Sequence, residues 1–261
     1  MKRLVSTASV FGLALLLSSA AMTQTPPASA PAATHPTLEP EATAALQRMG
    51  AYLRTLTTFG AAADVTSEEV LPSGQKVQYT GAIDLVATRP NRLRLNLDST
   101  RKRRQYFYDG RTLTVYSPRQ GYYATLDAPP TIGEMIKTFG ERYDIVIPLA
   151  DLFAIGEDPA IMARIQSGFF VGTEAVDDLT CDHYAFRQEK ADWQIWIRDD
   201  DAQPLPCRIV ITSREDPALP QYEARMTWNL QPVVPPDTFT FTPPEGAERI
   251  PVQTAAAASG Q

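Results

Sequence analysis

A strict alternation of apolar and polar residues recurs along most of this chain, and it constrains the fold more than any other feature. It is cleanest in residues 222–229, where tyrosine, alanine, methionine and tryptophan alternate with charged or polar residues. Successive side chains of a β-strand point to opposite faces, so the pattern predicts strands in a sheet with one buried face and one solvated face. The segments with this period are 77–85, 92–97, 105–108, 111–116, 121–126, 169–175, 181–187, 193–198, 207–212, 222–230 and 239–241.

The connections between these segments are short, and one of them has a strong turn signal. Asp109-Gly110 separates two alternating segments, and this dipeptide is typical of a two-residue β-hairpin loop. About ten or eleven short strands joined mainly by hairpins indicate an antiparallel sheet. Because strands twist, a sheet of that width curls toward a half-barrel. The predicted fold class is therefore mainly β (α+β), with a strongly curved antiparallel sheet.

Two parts of the chain have helical periodicity instead. From Glu39, apolar residues recur every three to four positions over about 16 residues, which predicts an amphipathic helix. Residues 131–166 contain three shorter helical patterns, at Ile132–Phe139, near Leu149–Phe153 and from Asp158-Pro159. The apolar face of a curved sheet must be covered, so we expect these helices to plug it or to form a lid over it.

The N-terminal segment predicts export. Lys2 and Arg3 precede an apolar stretch at residues 10–17 and a run of small residues, which is typical of a secretory signal cleaved near Ala21. The apolar stretch is shorter than the roughly 20 residues that span a bilayer. No cysteine lies near the cleavage point, so we expect a soluble periplasmic protein without a lipid anchor. The predicted organisation is a signal peptide at 1–21, a Pro/Ala-rich flexible tether at 22–38, a single β domain at 39–250 with a helical lid at about 131–166, and a disordered tail at 251–261.

Composition and motifs argue against several functions. The formal net charge of −6 opposes nucleic-acid binding, which uses a basic surface. The only cysteines and histidines are two of each, and one histidine, His35, falls in the predicted tether, which argues against a zinc cluster. The sequence also has no hydrolase or phosphate-loop motif. His183 is the only histidine outside the predicted tether, and its position out of phase with Tyr184 indicates a surface side chain rather than a general base. We expect no catalysis, cofactor or metal; an enzyme with an unrecognised site remains an alternative.

Seven cations fall within the 16 residues 89–104 of this otherwise acidic chain. One interpretation is a solvated hairpin whose arginines protect a sheet edge. The other is a docking patch for anionic head groups, an acidic partner or an anionic polymer, because the arginine fork binds phosphate and carboxylate bidentately. The candidate docking residues are Arg92, Arg94, Arg101, Lys102, Arg103 and Arg104.

The apolar stripes of the sheet form the second candidate site. Such residues fill the core of any sheet of this size, which is the simpler interpretation. If the space between sheet and lid is open, they would line a cavity for an acyl chain, because methionine and aromatic side chains adapt to apolar ligands. The candidate cavity residues are Tyr79, Leu95, Val115, Phe186 and Trp228, and the candidate lid residues are Ile132, Met135, Ile136 and Phe139.

Cys181 and Cys207 form a candidate disulfide with 25 residues between them. A bridge in an oxidising compartment would restrain the unfolded chain by about 3–4 kcal/mol. The predicted strand order argues partly against it. The two cysteines flank strand 193–198, and two strand spacings of about 9.6 Å exceed the roughly 7 Å that a disulfide tolerates between Cα atoms. Bending at the strand ends would close that gap, so the sequence leaves both states open.

Five short motifs resemble an uncharacterised family of predicted periplasmic proteins. They are YDGRTL at 108–113, PLADL at 148–152, CDHYAFR at 181–187, DWQIWI at 192–197 and TFTFTPP at 238–244. The resemblance covers residues 40–250, and that family is placed by fold with the LolA and LolB lipoprotein carriers. It implies a LolA-like domain in which a curved sheet encloses a hydrophobic cavity for an acyl chain or a lipopeptide.

These features predict a non-enzymatic exported protein that binds a hydrophobic or amphipathic ligand, such as a lipid, acyl chain or lipoprotein, in the concave face of its sheet. Such a protein could carry that ligand across the envelope. The alternative is an interaction, stress-sensing or assembly factor that docks on another envelope protein through the basic hairpin. In either case we expect a monomer that binds no nucleic acid.

Overall fold

The fold is taken from a computed structural model, which describes residues 37–143, 145, 147, 149 and 159–252. All of them belong to one compact unit, Pro36–Gln261. The predicted signal peptide, most of the predicted tether and residues 253–261 lie outside the described residues. The helix predicted near Leu149–Phe153 also lies outside them, except for Leu149 itself.

The described residues form three helices and twelve strands. The helices are α1 (Pro40–Thr55), α2 (Ile132–Tyr143) and α3 (Pro159–Ala163). The strands are β1 (Thr58–Val70), β2 (Lys76–Thr88), β3 (Arg92–Ser99), β4 (Arg103–Tyr108), β5 (Thr112–Ser117), β6 (Tyr122–Asp127), β7 (Ser167–Val176), β8 (Leu179–Arg187), β9 (Ala191–Arg198), β10 (Pro206–Ser213), β11 (Gln221–Asn229) and β12 (Glu248–Arg249).

All twelve strands belong to one open, curved sheet with the order β12-β6-β5-β4-β3-β2-β1-β11-β10-β9-β8-β7. Strands β1–β6 and β7–β11 are two antiparallel meanders, and the pairing of β1 with β11 joins them. Among the twelve described strands only β12 pairs in parallel, with β6. β6 and β7 lie near opposite edges of the sheet, and α2 and α3 belong to the connection between them. The predicted mainly β fold with a curved antiparallel sheet is confirmed.

The main core lies between the helices and one face of the sheet, which we call the inner face. Helix α1 contributes a fully buried stripe that includes Leu46 and Met49, and α2 contributes Met135 and Phe139. These side chains pack in one cluster with inner-face residues from both meanders. Both helices therefore cover the inner face, as expected from the need to bury an apolar sheet surface.

The opposite, outer face is covered in part by the chain after β11. Phe241 lies against three aromatic rings of β4, β5 and β6, with ring centroids 5.0 Å from Phe107, 5.4 Å from Tyr116 and 5.0 Å from Tyr123. Arg94 stacks on Phe107 at 3.5 Å from its centroid. The segment then ends at the β6 edge as β12. The outer face of this meander is therefore partly covered by the chain after β11 and is not fully exposed to solvent.

The Asp109-Gly110 hairpin forms as predicted. Oδ1 of Asp109 accepts hydrogen bonds from the backbone N–H groups of Arg111 at 2.9 Å and Thr112 at 2.8 Å. Gly110 has φ +92°, a conformation that disfavours every residue with a Cβ. The dipeptide thus fixes the register of β4 against β5.

The observed strands differ from the predicted ones in two places. β1 was not predicted, because six of its 13 residues are alanine, glycine or glutamate, which have low β-propensity. Residues 239–241 were predicted as a strand, whereas they lie in a turn region in which Thr238 and Thr240 N–H groups donate to Pro235 and Asp237. Their alternating aromatic residues pack onto the outer face as single side chains instead.

Cys181 and Cys207 form a disulfide with their Cα atoms 7.0 Å apart. The strand order is the predicted one, with β9 between β8 and β10. Cys207 is the extra residue of a bulge, since Pro206 pairs with Ile197 and Arg208 with Trp196. A bulge bends its strand, and this bend accounts for a separation below two strand spacings. The bridge lies in a small outer-face cluster with Trp196 and Val210.

Candidate ligand-binding site

Most of the inner face is filled by protein. Beneath the C-terminal end of α1, the space among Leu53, Phe59, Leu85 and Trp228 measures only about 10 Å³. A space of this size holds about one water molecule. The packed region beneath the end of α1 therefore offers no room for a larger ligand.

A larger cavity lies where the inner face extends beyond the helices. We call it the β1–β3 cavity; its volume is about 300 Å³. Its lining comes only from strands and turns, without a helical residue. The lining residues are Val65, Ser67, Glu68, Glu69, Tyr79, Thr80, Gly81, Ile83, Leu97, Ser99, Arg101, Lys102 and Tyr222.

The strand register explains the concave shape of the β1–β3 cavity. Ser67 of β1 pairs with Tyr79 of β2 on one side and with Tyr222 of β11 on the other. A small side chain therefore lies between two large rings. In the next inner-facing row, Val65 pairs with Gly81, which in turn pairs with Ser99. Small residues at the centre and aromatic residues at the sides produce a hollow.

Two cations, Arg101 and Lys102, and two carboxylates, Glu68 and Glu69, line this hollow at the end of the sheet. Glu68 is bound at 3.0 Å by Lys76, which lies outside the lining, and Arg101 forms an ion pair with Glu69. The hydrogen bond from Lys76 holds the pKa of the Glu68 carboxyl below its ordinary value. Lys102 has no carboxylate partner among the described residues. The cavity therefore has one cation at its rim that is not paired with a carboxylate.

Arg101 spans the mouth of the cavity. It starts from the turn between β3 and β4, and its guanidinium lies 4.9 Å from the ring centroid of Tyr79 on β2. It reaches Glu69 on β1, the strand beyond. A cation over an aromatic face is favourable by about 0.5–1 kcal/mol at exposed sites. The charged end of Arg101 and the apolar ring of Tyr79 thus form one amphipathic wall.

A second cavity of about 230 Å³ lies on the inner face at the other edge of the first meander. Apolar residues of β5 and β6, including Val115 and Ala124, form its floor, and Ile250 and Val252 after β12 form one wall. Arg104 stands at its border, where its Nη1 donates to Ser117 and Gln120. Arg104 pairs across β3–β4 with Leu97, a residue of the β1–β3 cavity.

The five predicted cavity residues occupy different places. Tyr79 lines the β1–β3 cavity and Val115 the second cavity. Leu95 and Phe186 are buried in the packed core, with relative exposures of 0% and 4%. Trp228 borders the narrow space beneath α1, and its Nε1 donates to the Pro206 carbonyl at 2.8 Å. The structure therefore brings no more than one of them into any large cavity.

The predicted lid residues lie on one helix, α2. Ile132, Met135 and Phe139 are fully buried against the sheet core, and Ile136 is half-buried. Their apolar face is thus in contact with protein, and α2 packs as part of the core.

The six predicted docking residues do not form one patch. Arg94 stacks on Phe107 at the outer face, and burial lowers the pKa of its guanidinium to about 10. Arg92 lies over Phe239 on the same face. Arg103 pairs with Asp98 at 2.6 Å, also at the outer face. The other three are Arg101, Lys102 and Arg104, which border the two inner-face cavities. Strand alternation divides the run because successive side chains point to opposite faces.

His183 lies on the outer face, as its phase predicted, but it is largely buried with a relative exposure of 9%. Its ring stacks on Trp196 with centroids 4.0 Å apart. Its two nitrogens lie 3.0 Å from Gln194 Oε1 and from a Glu174 carboxylate oxygen. Both nitrogens are thus engaged by neighbouring side chains, so His183 has a packing and hydrogen-bonding role.

Several cavity residues were not predicted, notably Val65, Ser67, Gly81 and Tyr222. The signal for Tyr222 was present in its alternating strand, but Ser67 lies in the strand that was not predicted. The described residues contain no cluster of potential metal ligands. None of the described helices is sufficiently long and apolar to span a membrane.

A family model described as a predicted periplasmic protein, DUF2092, matches residues 42–253. No curated protein is significantly similar in sequence. Solved structures with a similar arrangement include the lipoprotein LppX of Mycobacterium tuberculosis, at 13% identity over 75% of this chain and 98% of that one, with a TM-score of 0.46. LprF of Mycobacterium bovis is 16% identical over 81% of this chain and 100% of that one, with a TM-score of 0.44. A LolA superfamily protein of Nitrosomonas europaea is 10% identical over 77% of this chain and 97% of that one, with a TM-score of 0.34.

Proposed function

The chain belongs to the DUF2092 family of predicted periplasmic proteins, and on that premise we propose that it is a non-enzymatic binding protein of the envelope. It takes the apolar part of a hydrophobic or amphipathic ligand, such as a lipid or an acyl chain, into the β1–β3 cavity. The family match confirms the resemblance seen in the sequence motifs. The family description gives a predicted periplasmic location, whereas the binding function is argued from the cavity.

The observation that carries the proposal is the open apolar hollow of the β1–β3 cavity, the larger of the two inner-face cavities described above. About 300 Å³ is free in the β1–β3 cavity, against about 10 Å³ beneath α1. Ligand sites in proteins are typically concave and mostly apolar, with volumes from about 300 Å³ upward. A sheet used only as a scaffold would gain stability by filling this space with larger side chains.

The driving force would be burial of apolar surface. Each methylene transferred from water contributes about 0.8 kcal/mol before the cost of ordering the chain is subtracted. The walls of the cavity belong to four hydrogen-bonded strands, so binding should cost little conformational entropy of the protein. Displacement of α2 from the core is not required, because no α2 residue lines the cavity.

Native mass spectrometry of the protein purified from its own periplasm, followed by organic extraction, tests the proposal. We expect an apolar mass that dissociates on extraction. Direct binding is measured with 1-decanol, a probe without charge. We expect Ser67→Trp to reduce decanol binding at least tenfold, because the indole fills the floor between Tyr79 and Tyr222.

Thr66→Trp is the matched control, since Thr66 is the neighbouring residue on the opposite face of β1. It adds the same side chain without entering the cavity and should leave binding within twofold of the unaltered protein. If neither decanol nor any extracted apolar compound binds to the unaltered protein, the proposal is wrong. The alternative of docking on an envelope protein would then take precedence.

A further inference from the structure

We propose that the ligand of the β1–β3 cavity is a single-chain amphiphile with an anionic phosphate or carboxylate head group, held by Arg101 and Lys102. This inference rests on the proposed function and narrows it to one class of ligand. It has two parts, the number of chains and the charge of the head group, and each follows from a different property of the cavity.

The number of chains follows from the volume. Ligand sites in proteins measure about 300–1,000 Å³, and the β1–β3 cavity, at about 300 Å³, lies at the small end of that range. This size favours one medium-length chain. The second cavity lies beyond Leu97 and Arg104 and has its own walls. A lipid with two or three long chains would leave most of its apolar surface in water.

The charge of the head group follows from the two cations at one end of the apolar floor. Lys102 has no carboxylate partner among the described residues, and of the two lining carboxylates Glu68 is already bound by Lys76. The Arg101–Glu69 pair is half exposed, with side-chain exposures of 49% and 46%. Exposed pairs are worth little. An incoming anion can therefore replace Glu69 at Arg101 without leaving a buried carboxylate unpaired.

The turn that carries both cations is held in place by hydrogen bonds. Two hydrogen bonds join Ser99 and Lys102: the Lys102 N–H donates to the Ser99 side-chain Oγ at 2.9 Å, and the Ser99 N–H donates to the Lys102 carbonyl at 2.8 Å. Arg119 of the next turn donates to the carbonyls of Thr100 and Ser99, both at 2.7 Å. A preorganised turn loses little freedom when an anion binds.

The geometry also gives the ligand an orientation. The chain lies over Ile83, Leu97 and the Tyr79 ring, and the head group emerges at the β3–β4 turn, where Arg101 already stacks on Tyr79. Arginine binds phosphate and carboxylate oxygens in a bidentate manner, and lysine adds a point charge beside it. The opposite orientation would place an anion among the packed core residues.

Isothermal titration of the full chain with four probes tests both parts. The probes are decyl phosphate, 1-decanol, didecyl phosphate and inorganic phosphate. We expect decyl phosphate to bind about tenfold more tightly than decanol at low salt, and the advantage to shrink as salt screens the charges. Didecyl phosphate should bind no more tightly than decyl phosphate, and inorganic phosphate alone should neither bind measurably nor displace it.

The double variant Arg101→Gln with Lys102→Gln should weaken decyl phosphate binding about tenfold and decanol binding much less, so that the preference for decyl phosphate over decanol is lost. Arg103→Gln is the matched control. It removes one charge from the same turn, but Arg103 lies on the outer face with Asp98 and does not line the cavity. It should leave both affinities within twofold.

Each outcome separates this inference from the proposed function. If decanol and decyl phosphate bind with equal affinity, the inference of an anionic head group is wrong, while the proposed binding function stands. If didecyl phosphate binds more tightly than decyl phosphate, the inference of a single chain is wrong. Full competition by inorganic phosphate shows an anion site that does not need the chain, which also overturns the inference. Failure of all apolar probes overturns the proposed function itself.

Discussion

Two tyrosine hydroxyls in the sheet both have a pKa raised by burial but differ in hydrogen bonding. The Tyr108 hydroxyl donates to the Pro129 carbonyl at 2.5 Å and so ties β4 to the segment before α2. The Tyr222 hydroxyl is buried without a hydrogen-bond partner among the described residues. Burial raises the pKa of each to about 12. A buried hydroxyl without a partner costs free energy, whereas a bonded one contributes it.

Removing these hydroxyls should therefore have opposite effects. We expect Tyr108→Phe to lower the free energy of unfolding by about 1 kcal/mol and Tyr222→Phe to leave it unchanged or raise it by up to about 1 kcal/mol. Urea unfolding followed by circular dichroism measures both. Equal destabilisation by the two variants would show that the Tyr222 hydroxyl has a partner, such as a bound water.

At the scale of single elements, the disulfide ties β8 to β10 across the end of β9. It crosses at the bulge around Cys207, where β10 leaves the regular ladder. Sequence reasoning from flat strand spacing argued only partly against the bridge and left both states open, because a bulge cannot be recognised from Pro206-Cys207 alone. The bridge closes a loop over a sequence separation of 26 residues, which the unfolded chain would otherwise explore freely.

Loss of the bridge should destabilise the protein. We expect the double variant Cys181→Ser with Cys207→Ser to lower the free energy of unfolding by about 3 kcal/mol. Without the bridge the unfolded chain gains conformational entropy, and for a loop of this length that gain stabilises the unfolded state by about this free energy. Chemical denaturation of the variant, compared with the unaltered protein before and after reduction, checks this. A variant as stable as the unaltered protein would contradict a restraining role.

At the scale of the whole molecule, one core connects both meanders and both long helices. Residues as distant as Leu46 of α1, Met135 of α2 and Met226 of β11 belong to the same buried cluster. The two meanders share the β1–β11 ladder, which runs from Gly60–Asn229 to Ser67–Tyr222. Neither meander can therefore lose its packing without exposing apolar surface of the other.

Unfolding should accordingly be a single cooperative transition. We expect tryptophan fluorescence and far-ultraviolet circular dichroism to report the same urea midpoint, because the three tryptophans lie in the second meander while the circular dichroism signal covers the entire sheet. Two separate midpoints would show that the meanders unfold as independent units.

Part of this molecule follows from local sequence. Alternation places Ala224 and Met226 on the buried face and Glu223 and Arg225 on the other, because successive strand residues point to opposite sides whatever the strand's neighbours are. The helix α1 and the Asp109-Gly110 turn are likewise set by nearby residues, through helical periodicity and through the left-handed conformation of Gly110. The curved antiparallel class follows from the number of such strands.

The β1–β3 cavity, by contrast, depends on pairing between residues remote in sequence. Tyr222 and Tyr79 enclose a hollow only because Ser67 lies between them, and no local pattern specifies that β1 pairs with β11. Strand pairing also separates the cations of residues 89–104. Arg101 and Lys102 border a cavity whose floor comes from other strands, whereas Arg103 lies on the outer face. A strand's own sequence fixes which side chains share a face, whereas the empty volume beside them depends on the neighbours that the tertiary fold brings into register.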